Sequence, residues 1–401
     1  MSVKRRYFDN AATSFPKPPG VSAAVSDYLD NIGASAGRGA YREAVHSRQI
    51  LDDCRAVLRK LFSCQPADDV IFTLNGTDAL NLAIKGFVKP GQHVVTTCMD
   101  HNSVLRPLNA LQQRLGITWT AVAADPQTTL VDPQAVSAAF QKNTSLVAIN
   151  HSSNVTGALQ PIEPIVQICR ERSLPVLLDC AQSAGHVPID FTNLPIDMLA
   201  CPGHKGLLGP LGTGILVLRA GFASRLDTLC EGGTGSESEH AIQPEMTPDK
   251  YEPGSHNAVG LAGLLAAVRW ILERSVSELR EHEKQLCARM IAGLDGVEGL
   301  RWFGPRQVDQ RVGVFSIRLP GLEPSELSAL LEERYGILTR GGLHCAPLAH
   351  QTIGTYATGG TTRLSLGPFL RLPDIDAAVD ALAEITQNLP SEQSHCTGGV
   401  A

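Results

Sequence analysis

Nothing in this chain reads as a secretory leader, a membrane span or a disulfide scaffold. The N-terminus, MSVKRRYFDN, starts basic but turns polar at once, without the apolar run a secretory signal needs. No later stretch stays apolar for the length of a bilayer, so a soluble cytoplasmic protein is expected. The ten cysteines are scattered singly along 401 residues rather than set in a short framework, and most read as buried reduced thiols. Positive charge is also in short supply. Lys and Arg number 34 against 40 Asp and Glu, a net charge of -6 that offers no broad basic surface to nucleic acid or an anionic membrane. Internal repeats and low-complexity blocks are missing. Cys and His do meet at Cys201 to His204, His344-Cys345 and His395-Cys396, but no pair has the matched second half a zinc site wants, so no metal is expected.

What is present is core-forming material: 43% of residues are apolar and 18% charged, enough for a large core in a chain too long for one ordinary domain. After a turn-rich FPKPPG, helices are expected over 21–32 and 44–62, joined by the Gly-rich GASAGRGAY, which reads as a flexible loop. From residue 69 the pattern becomes short apolar runs separated by helical stretches: VIFT, HVVTT, TWTAV, LVAIN, VLLD, MLACP and GILVL. Strands alternating with helices predict an α/β domain with a mostly parallel seven-stranded sheet, because parallel neighbours need crossover connections. Ligands in such folds gather at the carboxyl ends of strands. The polar clusters NGTD, DHNS, SSNVTG and DCAQS all fall there. A helical stretch over 259–294 then leads into VGVFSIRL and TRLSLGP, which alternate like strands beside helices at 325–335 and 374–388. The division expected is a large α/β domain over 20–258, a smaller α+β domain from 1–19 and 259–390, and a disordered polar tail over 391–401.

The chemistry is most legible in CPGHKGLLGPLGTGILVL, where Lys205 lies between two apolar strands. Burial lowers an amine's pKa and makes it a nucleophile fit for an aldehyde cofactor; a surface-turn lysine is the plain alternative. Asp179, at the end of VLLD, stands where a carboxylate can pair with a pyridinium nitrogen or merely cap a helix. Asp190 and Asp197 compete with it from more turn-like ground. Gln182 could donate to a ring oxygen. Gly76 and Thr77, in Asn75-Gly76-Thr77-Asp78, open a helix whose N–H groups suit phosphate. His101 follows the next strand and could stack on a ring or be structural. In LTRGGLHCAP, Cys345 should be accessible and near the charge of Arg340, conditions that favour thiolate.

Together these segments resemble the class V aminotransferases among fold-type I pyridoxal-phosphate enzymes, and most closely the group II cysteine desulfurases and selenocysteine lyases. The resemblance runs from YFDNAATS through NGTDALN, MDHNSV, SSNVTG, LLDCAQSAG, PGHKGLLGPLGTGIL and YEPGSHN to RGGLHCAP and TRLSLGPF. It implies that Lys205 carries pyridoxal 5'-phosphate and moves protons. His204 and Thr77 would hold the phosphate, Asp179 the pyridine nitrogen and Gln182 the phenolic oxygen. His101 would stack on the ring and relay protons, and Asn154 would lie beside ring and substrate. Arg363 would take the substrate carboxylate by two parallel hydrogen bonds, with Arg340 nearby.

The reaction so implied converts L-cysteine, or L-selenocysteine, to alanine, with Cys345 accepting sulfur as a persulfide. An aminotransferase or C–S lyase on the same scaffold is the alternative. The resemblance also implies a homodimer, with Ser255 reaching the partner's phosphate, and a sulfur-acceptor protein. Three positions depart from the family pattern: Pro202 where many relatives have Ser, Ser255 where they often have Thr, and Leu343 where a second His is common. Pro202 removes a hydroxyl and a backbone donor from the phosphate site.

Overall fold

The computed structural model describes residues 4–37 and 39–389. All seven apolar runs are strands: β1 (Asp69–Thr73), β2 (His93–Thr97), β3 (Thr118–Val122), β4 (Thr144–Asn150), β5 (Val176–Asp179), β6 (Met198–Pro202) and β7 (Gly214–Leu218). They form one sheet in the order β1-β7-β6-β5-β4-β2-β3, in which only β7 runs against its neighbours. The runs are continuously apolar because both faces are covered. Successive residues alternate between two cores: Val70, Phe72, Val147, Ile149, Leu178 and Val217 point to one, Ile71, Leu146, Ala148, Leu177 and Leu216 to the other. Helices Arg42–Leu61, Ile162–Glu171 and Ala258–Arg274 close the first face, and Gly76–Phe87 and Asn102–Leu115 the second. Each Leu, Ile or Val so buried contributes about 1.5–3 kcal/mol.

A second, smaller core forms around a four-stranded antiparallel sheet of Arg340–Gly342, Thr361–Ser365, Val314–Arg318 and Arg301–Phe303, in that order. Phe8, Leu286, Met290, Phe315, Leu364 and Leu382 meet there. The segment at residues 6–8 belongs to this core: Phe8 packs into it and Arg6–Tyr7 pairs in parallel with Ile337–Leu338.

The helical stretch expected over 259–294 is two helices, broken at Ser275, which has φ +66° and accepts the Glu278 N–H at 3.1 Å through its hydroxyl. The first, Ala258–Arg274, packs Leu261, Leu264, Val268 and Ile271 into the large core, and the second, Val276–Asp295, gives Leu286, Met290 and Leu294 to the small one. By packing, the chain passes between cores at Ser275, one helix later than a boundary at 258. The expected tail over 391–401 lies outside the described residues. Among the described residues no helix is long and apolar enough to cross a membrane.

Candidate active site

Strands β1, β2, β4, β5 and β6 point their carboxyl ends the same way, and the turns that follow them enclose one cavity. Its lining includes Gly76, Thr77, His101, Asn154, Asp179, Gln182, His204 and Lys205. The sequence-predicted residues from five separate turns therefore meet in space. Asp190 and Asp197 do not. Asp190 caps a turn by accepting the Asn193 N–H at 3.0 Å, and Asp197 accepts Val176 N–H at 2.9 Å at the far end of the sheet.

Lys205 follows β6 and its amine lies deep in the cavity. Burial pushes its pKa down to about 8; the nearby Asp179 carboxylate resists that shift, while Arg363 adds to it. A substantial share of neutral amine near pH 8 is what a nucleophilic lysine requires. Asp179 is itself raised by burial, against the pull of the Ala181 N–H at 2.9 Å and of Lys205. Gln182 donates to Ala11 O at 3.0 Å, tying the cavity floor to the N-terminal segment.

The His204–Lys205 peptide is clamped from outside. The His204 carbonyl accepts from Ser14 N–H at 2.9 Å, Ser14 Oγ at 3.0 Å, Thr13 Oγ1 at 3.2 Å and Lys17 Nζ at 3.3 Å. Its side-chain Nδ1 is buried without a partner. Burial, then Lys205 and Lys17, push the imidazole down to about pKa 4.

These features fit a phosphorylated ring. The helix Gly76–Phe87 aims its first N–H groups at the cavity, while its N-cap Asn75 satisfies Asp78 N–H at 2.9 Å. Gly214 lets this turn approach: a Cβ there would sit 2.4 Å from the Asn75 backbone. A Cβ on Gly76 would likewise lie 3.0 Å from Pro202 Cδ, so the missing side chain keeps the phosphate turn against β6. The side-chain Nδ1 of His204 is a further polar group with no partner among the described residues. Pro202 supplies no backbone donor, so the polar groups on this side of the cavity are those of Thr77, His204 and the helix terminus.

Arg363, on the small sheet, is buried and reaches the backbone of Asn154, which lines the cavity. Its Nη2 pairs with Asp9 at 2.9 Å and its Nη1 donates to Asn154 O at 3.2 Å, while Nε is buried with no partner. Arg340 stands directly opposite it in the antiparallel ladder. Like charges so placed are unfavourable until an anion comes between them, and Asp9 neutralises only one of the two.

Cys345 is exposed, in a turn where His344 and Cys345 have φ of +48° and +57°. Two successive non-glycine residues in the left-handed region need external support. Asn154 Nδ2 donates to His344 O at 2.7 Å, Asn102 N–H donates to Cys345 O at 2.8 Å, and His344 Nε2 meets Thr361 O at 3.0 Å. Asn102 is the first residue of the helix capped by His101, so the cysteine turn is fastened beside the imidazole.

Ser255 is not part of this cavity. It is exposed on a separate groove with Leu74, Leu229, Cys230, Tyr251 and His256. Sequence reading missed Asp9, Ser103 and His344 as individuals, although YFDNAATS, DHNS and RGGLHCAP contain them. Ser103 and His344 are polar residues close in sequence to His101 and Cys345, whereas Asp9 lies beside no residue singled out.

With this geometry in place, the similarities to known proteins are informative. Over 393 residues the chain is 31% identical to a probable cysteine desulfurase of Pyrococcus abyssi, covering 96% of each sequence. A probable cysteine desulfurase of Aeropyrum pernix is 32% identical, with 94% of each covered. The apo structure of a cysteine desulfurase from Thermococcus onnurineus superposes with a TM-score of 0.89 at 30% identity, covering 96% of this chain and 95% of that one. The aminotransferase class-V family model matches residues 6–378, and the chain belongs to that family.

Proposed function

We propose that this protein is a pyridoxal-phosphate-dependent cysteine desulfurase. The observation that carries the reading is the Cys345 turn, fastened through Asn154 and Asn102 to the rim of the cavity that holds Lys205 and Asp179. A thiol presented there to a buried amine, a buried carboxylate and a buried guanidinium suits transfer of sulfur from a small amino acid.

Bound at Lys205, pyridoxal 5'-phosphate supplies an electron sink for charge developing at the substrate Cα. The chain's residues do the rest. Thr77, His204 and the helix terminus would hold the phosphate, Asp179 would keep the ring nitrogen protonated, and Gln182 would serve the phenolic oxygen. Arg363 takes the substrate carboxylate, with Arg340 adding charge at the mouth. Asn154 fixes both the guanidinium and the cysteine turn. The Lys205 amine would accept the substrate's Cα proton. Cys345 thiolate then attacks the substrate sulfur: an S–S bond forms, the Cβ–S bond breaks, and the electron pair stays on the carbon fragment until protonation. L-cysteine and the Cys345 thiol become L-alanine and a Cys345 persulfide, with atoms and electrons balanced.

The same reading includes a homodimer. Leu74, 63% exposed, and Leu229, 40% exposed, line the groove that holds Ser255; a second copy there would cover apolar surface and carry the Ser255 hydroxyl toward the partner's phosphate. The exposed Cys345 would pass its sulfur to an acceptor protein. An anaerobic assay with L-cysteine, following alanine and protein-bound persulfide together, tests the proposal. Wild type should form both and Cys345→Ala no persulfide. A cofactor-loaded enzyme that forms neither, or makes alanine unimpaired as Cys345→Ala, overturns it; activity with selenocysteine alone points to a lyase.

A further inference from the structure

His101 caps its helix in a way that fixes its protons. The backbone N–H of Ser103 donates to His101 Nδ1 at 3.0 Å. A backbone N–H can only donate, so Nδ1 must be the unprotonated nitrogen, and a neutral imidazole then carries its proton on Nε2. Among the described residues Nε2 has no hydrogen-bond partner, and the ring lines the cavity. Protonating Nδ1 would set N–H against N–H. Burial and the cations Lys205, Arg363, Arg106 and Arg340 oppose the imidazolium further, holding His101 down to about pKa 3.

We propose that Ser103 is a positioning residue that locks His101 as its Nε2–H tautomer, so that His101 donates a hydrogen bond into the cavity and does not act as a base there. This rests on the desulfurase reading only for the identity of what receives the bond. A relay through His101 would need Nδ1 to take up a proton as Nε2 gives one away, and the Ser103 N–H occupies that position. The role expected of His101 as a proton relay is thereby narrowed to donation, and proton acceptance falls to Lys205. The Ser103 hydroxyl has a second job. It lies 2.9 Å from Nδ1 and 2.8 Å from Thr77 Oγ1. With Nδ1 unprotonated, only the hydroxyl's own proton can lie between Ser103 Oγ and Nδ1, so the hydroxyl donates to the imidazole and its oxygen accepts from Thr77 Oγ1.

The test is ¹⁵N NMR of the purified full chain with ring-labelled histidine, the His101 signals being assigned by their loss in His101→Gln. Wild type should show Nδ1 unprotonated and Nε2 protonated, unchanged from pH 5 to pH 9, with and without cofactor. Ser103→Ala, which keeps the backbone N–H, should keep that tautomer. Ser103→Pro, which removes the N–H at a first-turn position that tolerates proline, should release it to a mixture. An Nδ1–H tautomer in wild type, or a His101 that titrates within this range, overturns the proposal whether or not Ser103→Pro folds. Because the readout is the tautomer, it stands apart from any assay of cysteine turnover.

Discussion

The segments that carry Lys205 and Cys345 face each other across one cavity but are held by opposite means. Lys205 follows a central strand, and its preceding carbonyl receives donors from Thr13, Ser14 and Lys17. Cys345 sits in a strained turn of the smaller unit, and each of its two key carbonyls is held by one donor from the larger unit, Asn154 or Asn102. The backbone leading into Lys205 is held redundantly, and each carbonyl of the Cys345 turn is held to the larger unit by a single bond. Such an arrangement keeps the cofactor site rigid while making the sulfur-accepting group depend on how the two units are seated.

Lys205→Ala should give the largest effect. It should lower alanine formation by roughly 10³-fold or more and abolish covalent cofactor attachment, read by absorbance after borohydride treatment. Because a buried, partly uncharged amine is lost, the melting temperature should hold or rise. A variant that keeps near-normal turnover would remove Lys205 from the chemistry.

Asn154→Ala tests the single-bond side of the comparison. Loss of its amide leaves the buried His344 carbonyl without that donor, costing about 1–3 kcal/mol. Misplacement of the thiol should slow persulfide formation by roughly 10²-fold. Amide exchange should quicken over 340–346 and stay unchanged over 202–208. Equal loosening of both segments would erase the contrast.

The pKa of Lys205 gives a third, smaller effect. Its folded value near 8 lies below the ordinary lysine value of 10.5, so the neutral amine fraction rises with pH up to about 8 and then levels. Reloading of cofactor-free protein with pyridoxal 5'-phosphate should follow, slowing about tenfold per unit below that point. A rate still climbing beyond pH 9.5 would mean that the lysine is not perturbed.

The contrast also explains what the sequence made legible. The sheet and the Lys205 side of the site could be read because strand ends, helix starts and glycines sit beside the residues they position, as in VLLD before Asp179 or NGTD before its helix. The Cys345 side is built from partners far apart in the chain. Asp9 and Arg363 are 354 positions apart, and Asn154 and His344 are 190 apart; no local pattern announces either pair. The break at Ser275 was readable, since Ser275 and Glu278 have capping-box spacing, but the apolar periodicity on both sides hid it. Ser255 lies outside the cavity, exposed on the groove it shares with Leu74 and Tyr251.

Lys17→Met probes the redundant side and should do least. It removes the longest of the four bonds to His204 O, at 3.3 Å, and leaves those from Ser14 and Thr13. Alanine formation should therefore fall by no more than about threefold in kcat/KM. Partial burial lowers the Lys17 pKa from 10.5 to about 8, so between these values the unfolded chain binds more protons than the folded one. Stability from this group accordingly rises with pH across that window and is lowest below pH 8, where the charged amine is held in a poorly solvated place. Methionine carries no such charge. Relative to wild type the variant should melt highest below pH 8 and lose that advantage by pH 10, measured by thermal unfolding across the range. If it instead lost turnover as severely as Asn154→Ala, the lysine segment too would depend on one bond, and the division between a redundantly held lysine segment and a cysteine turn tied across by single bonds would fail.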